Sequence, residues 1–519
     1  MYRVVIVINL VLLLIILSQR DVLSQNANPV NSWLYSNQAS LFGDFGTPGD
    51  PITMVMPGTA YTAGFGTYLD NPASTALFGS TFGEFGYTRR SVSEEAAYTG
   101  VQREHDSSDF QHSLSNAGFV YSFPVETGRF VVGGGYTQHA SYNRTISAST
   151  RNFSSSVTDF FKIPGSLYSD IAFTTFANDY GDEFQDWNES IFRIGFDNFG
   201  DYPGISQVFT ITERGFGGEY SLFASTEFRR NLMVGLSLGW VRGNYHYERE
   251  FLELDSQDVF AGEFIDTSGD GEPDTDIDRV LLEDQLSTTY GGLRARVGIL
   301  YRLTPFINVG ASFSPSSSFK VKEELSAGIT TTMNNRFSLD DDIDVEFTYR
   351  FKTPSKTSIG IALDRYNRIS LSIAADYVNF RNMEVDFEDA ELFGRQVREN
   401  EVEESELRNV WNLRAGASFY LNPYVTFRGG YSHLPGRFDT GAGNKRVFSF
   451  GGGFILSSRI LLDMVFQHER WQEESSVYDF ARYDYSSLPE STPDFTLQSE
   501  NADRLVNRWN MMASVVFLF

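Results

Sequence analysis

Residues 232–240 read LMVGLSLGW. Leu232, Val234, Leu236, Leu238 and Trp240 fall on one side of an extended chain, and Met233, Gly235, Ser237 and Gly239 fall on the other. Successive side chains of a strand point to opposite faces, so a period of two marks a strand. One face is apolar and the other small or polar, which suits a wall with lipid outside and a wet or crowded interior.

The same alternation spreads outward from this stretch. Leu293, Val297, Ile299 and Tyr301 alternate with Arg294, Arg296, Gly298 and Arg302, and Trp411, Leu413, Ala417 and Phe419 alternate with Asn412, Arg414, Gly416 and Ser418. Very short connections at 125–129, 229–231, 303–306, 364–368, 421–424 and 456–459 alternate with long polar ones near 93–111, 145–216, 251–284, 326–343, 385–405, 436–444 and 473–502. Short turns on one side and long loops on the other are the pattern of an antiparallel transmembrane β-barrel. The segments number 14, from 80–92 to 503–519, and an even count puts both ends on the periplasmic side. Pro354 falls inside the eighth segment and removes a ladder donor, so a bulge or kink is expected there. The first segment is the least regular, because Phe82 and Phe85 do not share a face.

Composition agrees with an all-β barrel. Phe (46), Tyr (26) and Gly (45) are plentiful, and barrels spend aromatics on two interfacial girdles. Mean hydropathy is -0.25, and the one long apolar run is Val4 to Leu17 after Arg3. With Val22 and Ser24 at the -3 and -1 positions, residues 1–24 read as a signal peptide. Residues 25–79 keep no period and read as an N-terminal hatch, leaving 80–519 as the barrel. The formal charge of -26 excludes a nucleic-acid surface. The absence of cysteine excludes a disulfide scaffold and a thiolate metal site.

Residues 58–79 read GTAYTAGFGTYLDNPASTALFG. This stretch resembles the N-terminal signature of the long-chain fatty acid transporter family of outer-membrane proteins, which also includes toluene and xylene transporters. The triplet Asn71-Pro72-Ala73 stands where that family joins hatch to barrel. The resemblance implies a fourteen-stranded barrel in the bacterial outer membrane, plugged by the hatch. It also implies passive uptake of hydrophobic small molecules, fatty acids or aromatic hydrocarbons, with sideways release through a gap in the wall. Two features depart from the family: Ser74 stands where a glycine is common, and the loops at 145–216 and 251–284 are long. Relatives also serve as shuttles in type IX secretion, which leaves a platform for protein partners as the alternative. The implied partners are the hydrophobic ligand, outer-membrane lipid and lipopolysaccharide, and the barrel assembly machinery.

Several residues are candidates for a role. Asn71, Pro72 and Ala73 either fix a turn or act as a hinge. Arg294, Arg296, Arg414 and Arg428 face inward, toward either a ligand carboxylate or the internal carboxylates Asp364, Asp376 and Asp463. Met233, Leu300, Ile455, Leu461, Val465, Met512, Val516 and Leu518 give that inward face an apolar content that a water channel does not need. Asp266, Ser268, Asp270 and Asp274 follow positions 1, 3, 5 and 9 of a calcium loop, with Gly271 at position 6 and Ile277 where a bidentate Glu closes the usual site. No other cofactor is required. Trp187, Ile191 and Ile194 have helical spacing and either line an external groove or pack the loop on itself. The terminal Phe519 ends an apolar alternation of the kind that barrel assembly recognises. None of the six histidines pairs at metal spacing, and no enzyme is expected.

Overall fold

The computed structural model describes residues 41–43, 49–62, 64–99, 101–125, 128–162, 168–180, 188–192, 203–260, 265–388, 400, 407–438, 443–484 and 494–519. The expected signal peptide lies outside these residues. The wall is built of fourteen strands: β1 (Phe82–Tyr98), β2 (Val101–Phe123), β3 (Phe130–Ser141 and Arg144–Asn152), β4 (Ile205–Arg229), β5 (Leu232–Leu254), β6 (Ile277–Arg302), β7 (Ile307–Ser314 and Ser318–Met333), β8 (Ser338–Lys352 and Ser355–Tyr366), β9 (Ile369–Asn379 and Glu384–Phe387), β10 (Val410–Asn422), β11 (Val425–Leu434), β12 (Lys445–Ser457), β13 (Ile460–Asp484) and β14 (Asp494–Leu518). Each pairs antiparallel with the next, and β1 pairs with β14 from Phe82↔Leu518 to Tyr98↔Ala502. That last pairing closes the barrel, so neither terminal strand is left as an open edge.

The alternation behaves as its period requires. In β5 Leu236, Leu238 and Trp240 face outward and are exposed, whereas Met233 is fully buried. Exposed apolar side chains, Trp240, Trp411 and Trp509 among them, form a belt on the outer surface. On a closed barrel such an apolar, aromatic-rich belt is a lipid-facing surface. Among the described residues no helix is long and apolar enough to cross a membrane; the crossing is made by strands.

Two expectations need correction. The stretches expected as loops at 93–111, 326–343 and 473–502 are largely strand, because β1–β2, β7–β8 and β13–β14 continue well beyond the belt. Above the belt the outer face meets water and the inner face meets other protein, so the lipid-facing signature fades while pairing goes on. β10–β12 do not share this extension and stop at Val410, Leu434 and Lys445. The helix considered around 187–194 does not form at 188–190, which pairs as a short strand with 178–180. Ile191 is buried among loop side chains, while Trp187 and Ile194 lie outside the described residues.

The break at Pro354 is present. β8 is interrupted at 353–354, and its neighbours β7 and β9 are interrupted at 315–317 and 380–383. Thr353 stitches the break, its N–H donating to Ser317 O (2.9 Å) and its Oγ1 accepting from Ser317 N (3.0 Å). The strand count is unaffected, because both halves of β8 keep their partners.

Candidate functional site: the interior of the barrel

Residues 49–79 touch the inner wall at glycines. A Cβ at Gly310 would lie 2.0 Å from Thr59 O, and one at Gly298 would lie 1.9 Å from Asn71 Oδ1. Only glycine permits an approach this close. Asn71 uses its whole amide. Its Oδ1 accepts from Ala73 N (2.9 Å), which caps the 3-10 helix Pro72–Leu77, and its Nδ2 donates to Thr59 O (2.7 Å) and to Ile299 O of β6 (3.0 Å). Turn chemistry in the sequence points to the cap. The bond to the wall carries no sequence signal.

Charged pairs tie the same segment to the strands. Asp70 accepts two hydrogen bonds from Arg414 (2.7 and 3.1 Å), and Arg414 Nε donates to Asp376 (3.1 Å). Arg296 meets Glu219 through two bonds of 2.6 Å, Arg428 meets Asp463 at 2.6 Å, and Arg294 Nε donates to Ser314 Oγ at 3.2 Å. Each of the four arginines therefore has a partner within the barrel, carboxylates for Arg296, Arg414 and Arg428 and a hydroxyl for Arg294.

The apolar inward residues are distributed differently from the expectation. Met233 and Leu300 pack on Ala73 and Ala76. Val465 and Met512 pack on Met54, Val55 and Met56, while Val516, with Leu461 and Leu518 beside it, packs with Phe65, Phe78 and Phe82. These side chains mostly meet the segment itself. Ile455 is 41% exposed at the mouth formed by the short turns. The free apolar surface lies higher, where a cavity of about 480 Å³ opens between residues 49–79 and the outer loops. Tyr245, Leu286, Val378 and Phe380 line it together with Arg294, Lys356, Asp376 and Arg414. Lys356 is absent from the sequence-derived candidates. Its signal was an inward lysine two residues after the strand-breaking Pro354.

Above the cavity the outer loops form a second core. Phe160, Phe161, Tyr168, Ile171 and Phe192 bury against Phe209, Phe251, Leu282, Ile329 and Tyr478 of the extended strands. Each such burial contributes about 1.5–3 kcal/mol. Glu253 of β5 clamps this loop, accepting from Val157 N (2.8 Å), Gln207 Nε2 (2.7 Å) and Ser156 Oγ. Burial pushes the Glu253 carboxyl up to about 7, against the lowering effect of those bonds. Nearby, Arg144 joins Glu213 and Glu473, and Arg504 joins Glu94 and Glu473. Burial alone would raise Glu473, but the Arg144 and Arg504 guanidiniums hold it down at about 2.

The calcium-like residues lie in an exposed loop. Asp266 accepts from Gly269 N and Gly271 N (2.7 Å each), which together hold its carboxyl below the usual range, and Asp274 accepts from Thr267 N (3.0 Å). Among the described residues no three carboxylate or imidazole groups converge as a metal site requires. Phe519 donates its N–H to Thr81 O (3.0 Å) and sets its ring 5.8 Å from that of Phe119.

A closed fourteen-stranded barrel with a lipid-facing belt defines a class: an integral β-barrel protein of the bacterial outer membrane. No family model matches the chain, and no curated protein matches it. Among solved structures it is similar to the Pseudomonas putida toluene transporter TodX, at 13% identity and TM-score 0.49 over 92% of this chain and 99% of that one. It is also similar to the Ralstonia pickettii toluene transporter TbuX, at 16% identity and TM-score 0.48 over 92% and 99%. A Pseudomonas aeruginosa FadL homologue is similar at 11% identity and TM-score 0.48 over 91% and 98%.

Proposed function

We propose that the protein passes hydrophobic small molecules, long-chain fatty acids or aromatic hydrocarbons, inward across the outer membrane by passive diffusion, with the N-terminal segment serving as hatch. The observation that carries this reading is the partly apolar cavity of about 480 Å³, held between residues 49–79 below and the loop core above. A water-filled pore gives an apolar solute no favourable surface. An enclosed apolar wall repays burial at about 0.8 kcal/mol per CH₂. The test combines binding and uptake. Purified protein should bind members of a panel of labelled fatty acids and monoaromatics, and cells lacking it should take up the bound class more slowly. Absence of both effects overturns the reading.

The second reading is a platform for protein partners in secretion. The packed core around Phe161, Phe192 and Tyr478 favours it, because it holds the outer loop segments in a fixed arrangement on the ends of the strands. Loss of a secreted cargo without any uptake defect would move this reading ahead.

A further inference from the structure

We propose that Arg446 and Arg470, side by side on the outer wall, form a binding site for a phosphate of lipopolysaccharide in the outer leaflet. The inference rests on the barrel and its lipid-facing belt, and it is independent of the transport reading.

The two arginines lie on neighbouring strands, β12 and β13, directly opposite one another in the register. Phe448 and Phe450 of β12 and Phe466 of β13 are exposed on the lipid-facing side, and the period of two puts Arg446 and Arg470 on that side with them. Both arginines are exposed. Arg470 is the tenth residue beyond Ile460, where β13 begins, and Arg446 is the eleventh before Ser457, where β12 ends. A strand needs about 9–11 residues to cross the hydrocarbon. Both guanidiniums therefore stand where the hydrocarbon ends on the long-loop side, at the level of outer-leaflet head groups. The row beneath them is aromatic: Tyr431 meets Phe448 with ring centroids 5.0 Å apart, and His468 meets Trp509 at 4.4 Å. Tyr and Trp rings favour the head-group level.

Like charges directly opposite on a sheet repel. The chain carries 67 acidic residues against 41 basic ones, yet this row holds no carboxylate: it runs His433, Arg446, Arg470 and Asn507 across β11–β14. The next outward-facing carboxylate on β13 is Glu474, four residues on, roughly 13 Å at about 3.3 Å per residue. β11 stops at Leu434 and β12 starts at Lys445, so the wall is low on this side and the row borders the leaflet. The tall side of the wall has the opposite character, with Glu248, Glu250, Glu283, Glu324, Asp342 and Asp344 exposed on β5–β8. An anion bridging the two guanidiniums removes their repulsion, and phosphate oxygens match the planar arginine fork through paired, charge-assisted hydrogen bonds. The phosphorylated lipid on the outer side of an outer membrane is lipopolysaccharide. Its acyl chains would then lie along Phe448, Phe450 and Phe466 below the phosphate.

The test uses the full-length protein in detergent micelles at physiological ionic strength, with lipid A, dephosphorylated lipid A and phosphatidylglycerol as probes and native mass spectrometry as the readout. The parent protein should bind lipid A about tenfold or more tighter than its dephosphorylated form. Arg470→Gln should remove most of that advantage, and Arg446→Gln with Arg470→Gln all of it, with binding of dephosphorylated lipid A unchanged. Arg242→Gln with Lys320→Gln, which removes two exposed cations of β5 and β7, should keep it. Neither arginine variant should lower the melting temperature of the lipid-free protein, since each relieves a like-charge contact. Equal binding of the two forms of lipid A by the parent overturns the inference. An advantage that survives in the double arginine variant, or that falls equally in Arg242→Gln with Lys320→Gln, does the same. Phosphatidylglycerol binding as tightly as lipid A overturns the assignment to lipopolysaccharide. A lowered melting temperature in both arginine variants reassigns the pair to holding the strands together.

Discussion

Asp70, on the segment inside the barrel, and Arg414, on β10, meet side-on through two hydrogen bonds of 2.7 and 3.1 Å, with both side chains almost fully buried. Removing one partner of such a pair strands the other charge, at a typical cost of about 3–5 kcal/mol. Arg414→Met strands two carboxylates, Asp70 and Asp376, whereas Asp70→Asn leaves Arg414 with Asp376. The arginine variant should therefore loosen the segment more than the aspartate variant, and the double variant should recover part of the loss. Proteolysis of residues 49–79 in the folded protein, followed by mass spectrometry, reads this order. Equal protection in the parent and both single variants would mean the pair holds nothing in place.

How far the sequence could be read depends on which face a residue serves. Lipid imposes one chemistry on the outward side chains, so Leu236, Leu238 and Trp240 announce a strand by themselves. Turns such as 364–368 declare themselves by their shortness, with Arg365, Asn367 and Arg368 at positive φ. Inward faces serve mixed partners. Met233 packs on Ala73 while Arg296 meets Glu219, and nothing in a period of two separates a side chain that packs from one that is free. The cavity is for that reason illegible from the sequence: its lining is defined by what each side chain bonds to, hundreds of residues apart in the case of Asp70 and Arg414. The extended outer strands were hidden because water on one side and the loop core on the other erase the apolar stripe.

Glu253 should make docking of the outer loop depend on pH. Its carboxyl sits near 7 in the folded protein against 4.5 as a free group. A carboxyl raised on folding contributes stability that is fully present below about 4.5 and is lost as pH rises through about 7. Asp159, which faces it across the loop, adds to the cost of the charged form. Hydrogen exchange of the stretch around Val157 should therefore quicken between these limits, and Glu253→Gln should flatten the dependence. Asp479, pushed up to about 6 by burial, titrates in the same window. An unchanged profile in Glu253→Gln would assign the effect there instead.

Calcium at Asp266, Ser268, Asp270 and Asp274 is a proposal for weak binding. The bonds from Gly269 and Gly271 to Asp266 already form a tight turn, but Ile277 supplies no closing carboxylate. Affinity should fall in the range of about 10⁻⁴–10⁻³ M seen for extracellular modules. Calorimetry on the parent protein and on Asp270→Ala reads it directly. No calcium-dependent heat in the parent, or the same heat in both, ends the proposal.

Phe519 is the remaining residue to test, and its position separates assembly from stability. The side chain is 78% exposed, and its one backbone bond runs to Thr81 at the barrel seam. An exposed ring contributes little to the folded barrel, so deletion should cost no more than about 1 kcal/mol of folded-state stability. Yet β14 is the strand that closes on β1, and its end is proposed as the recognition face for the assembly machinery. Deleting Phe519 should therefore lower the amount of protein inserted in the outer membrane several-fold, while the fraction that does insert keeps the parent's melting behaviour. Measuring membrane yield and melting temperature on the same preparations separates the two effects. A normal yield would remove the assembly role, and a low yield with an equally low melting temperature would reassign Phe519 to holding the seam.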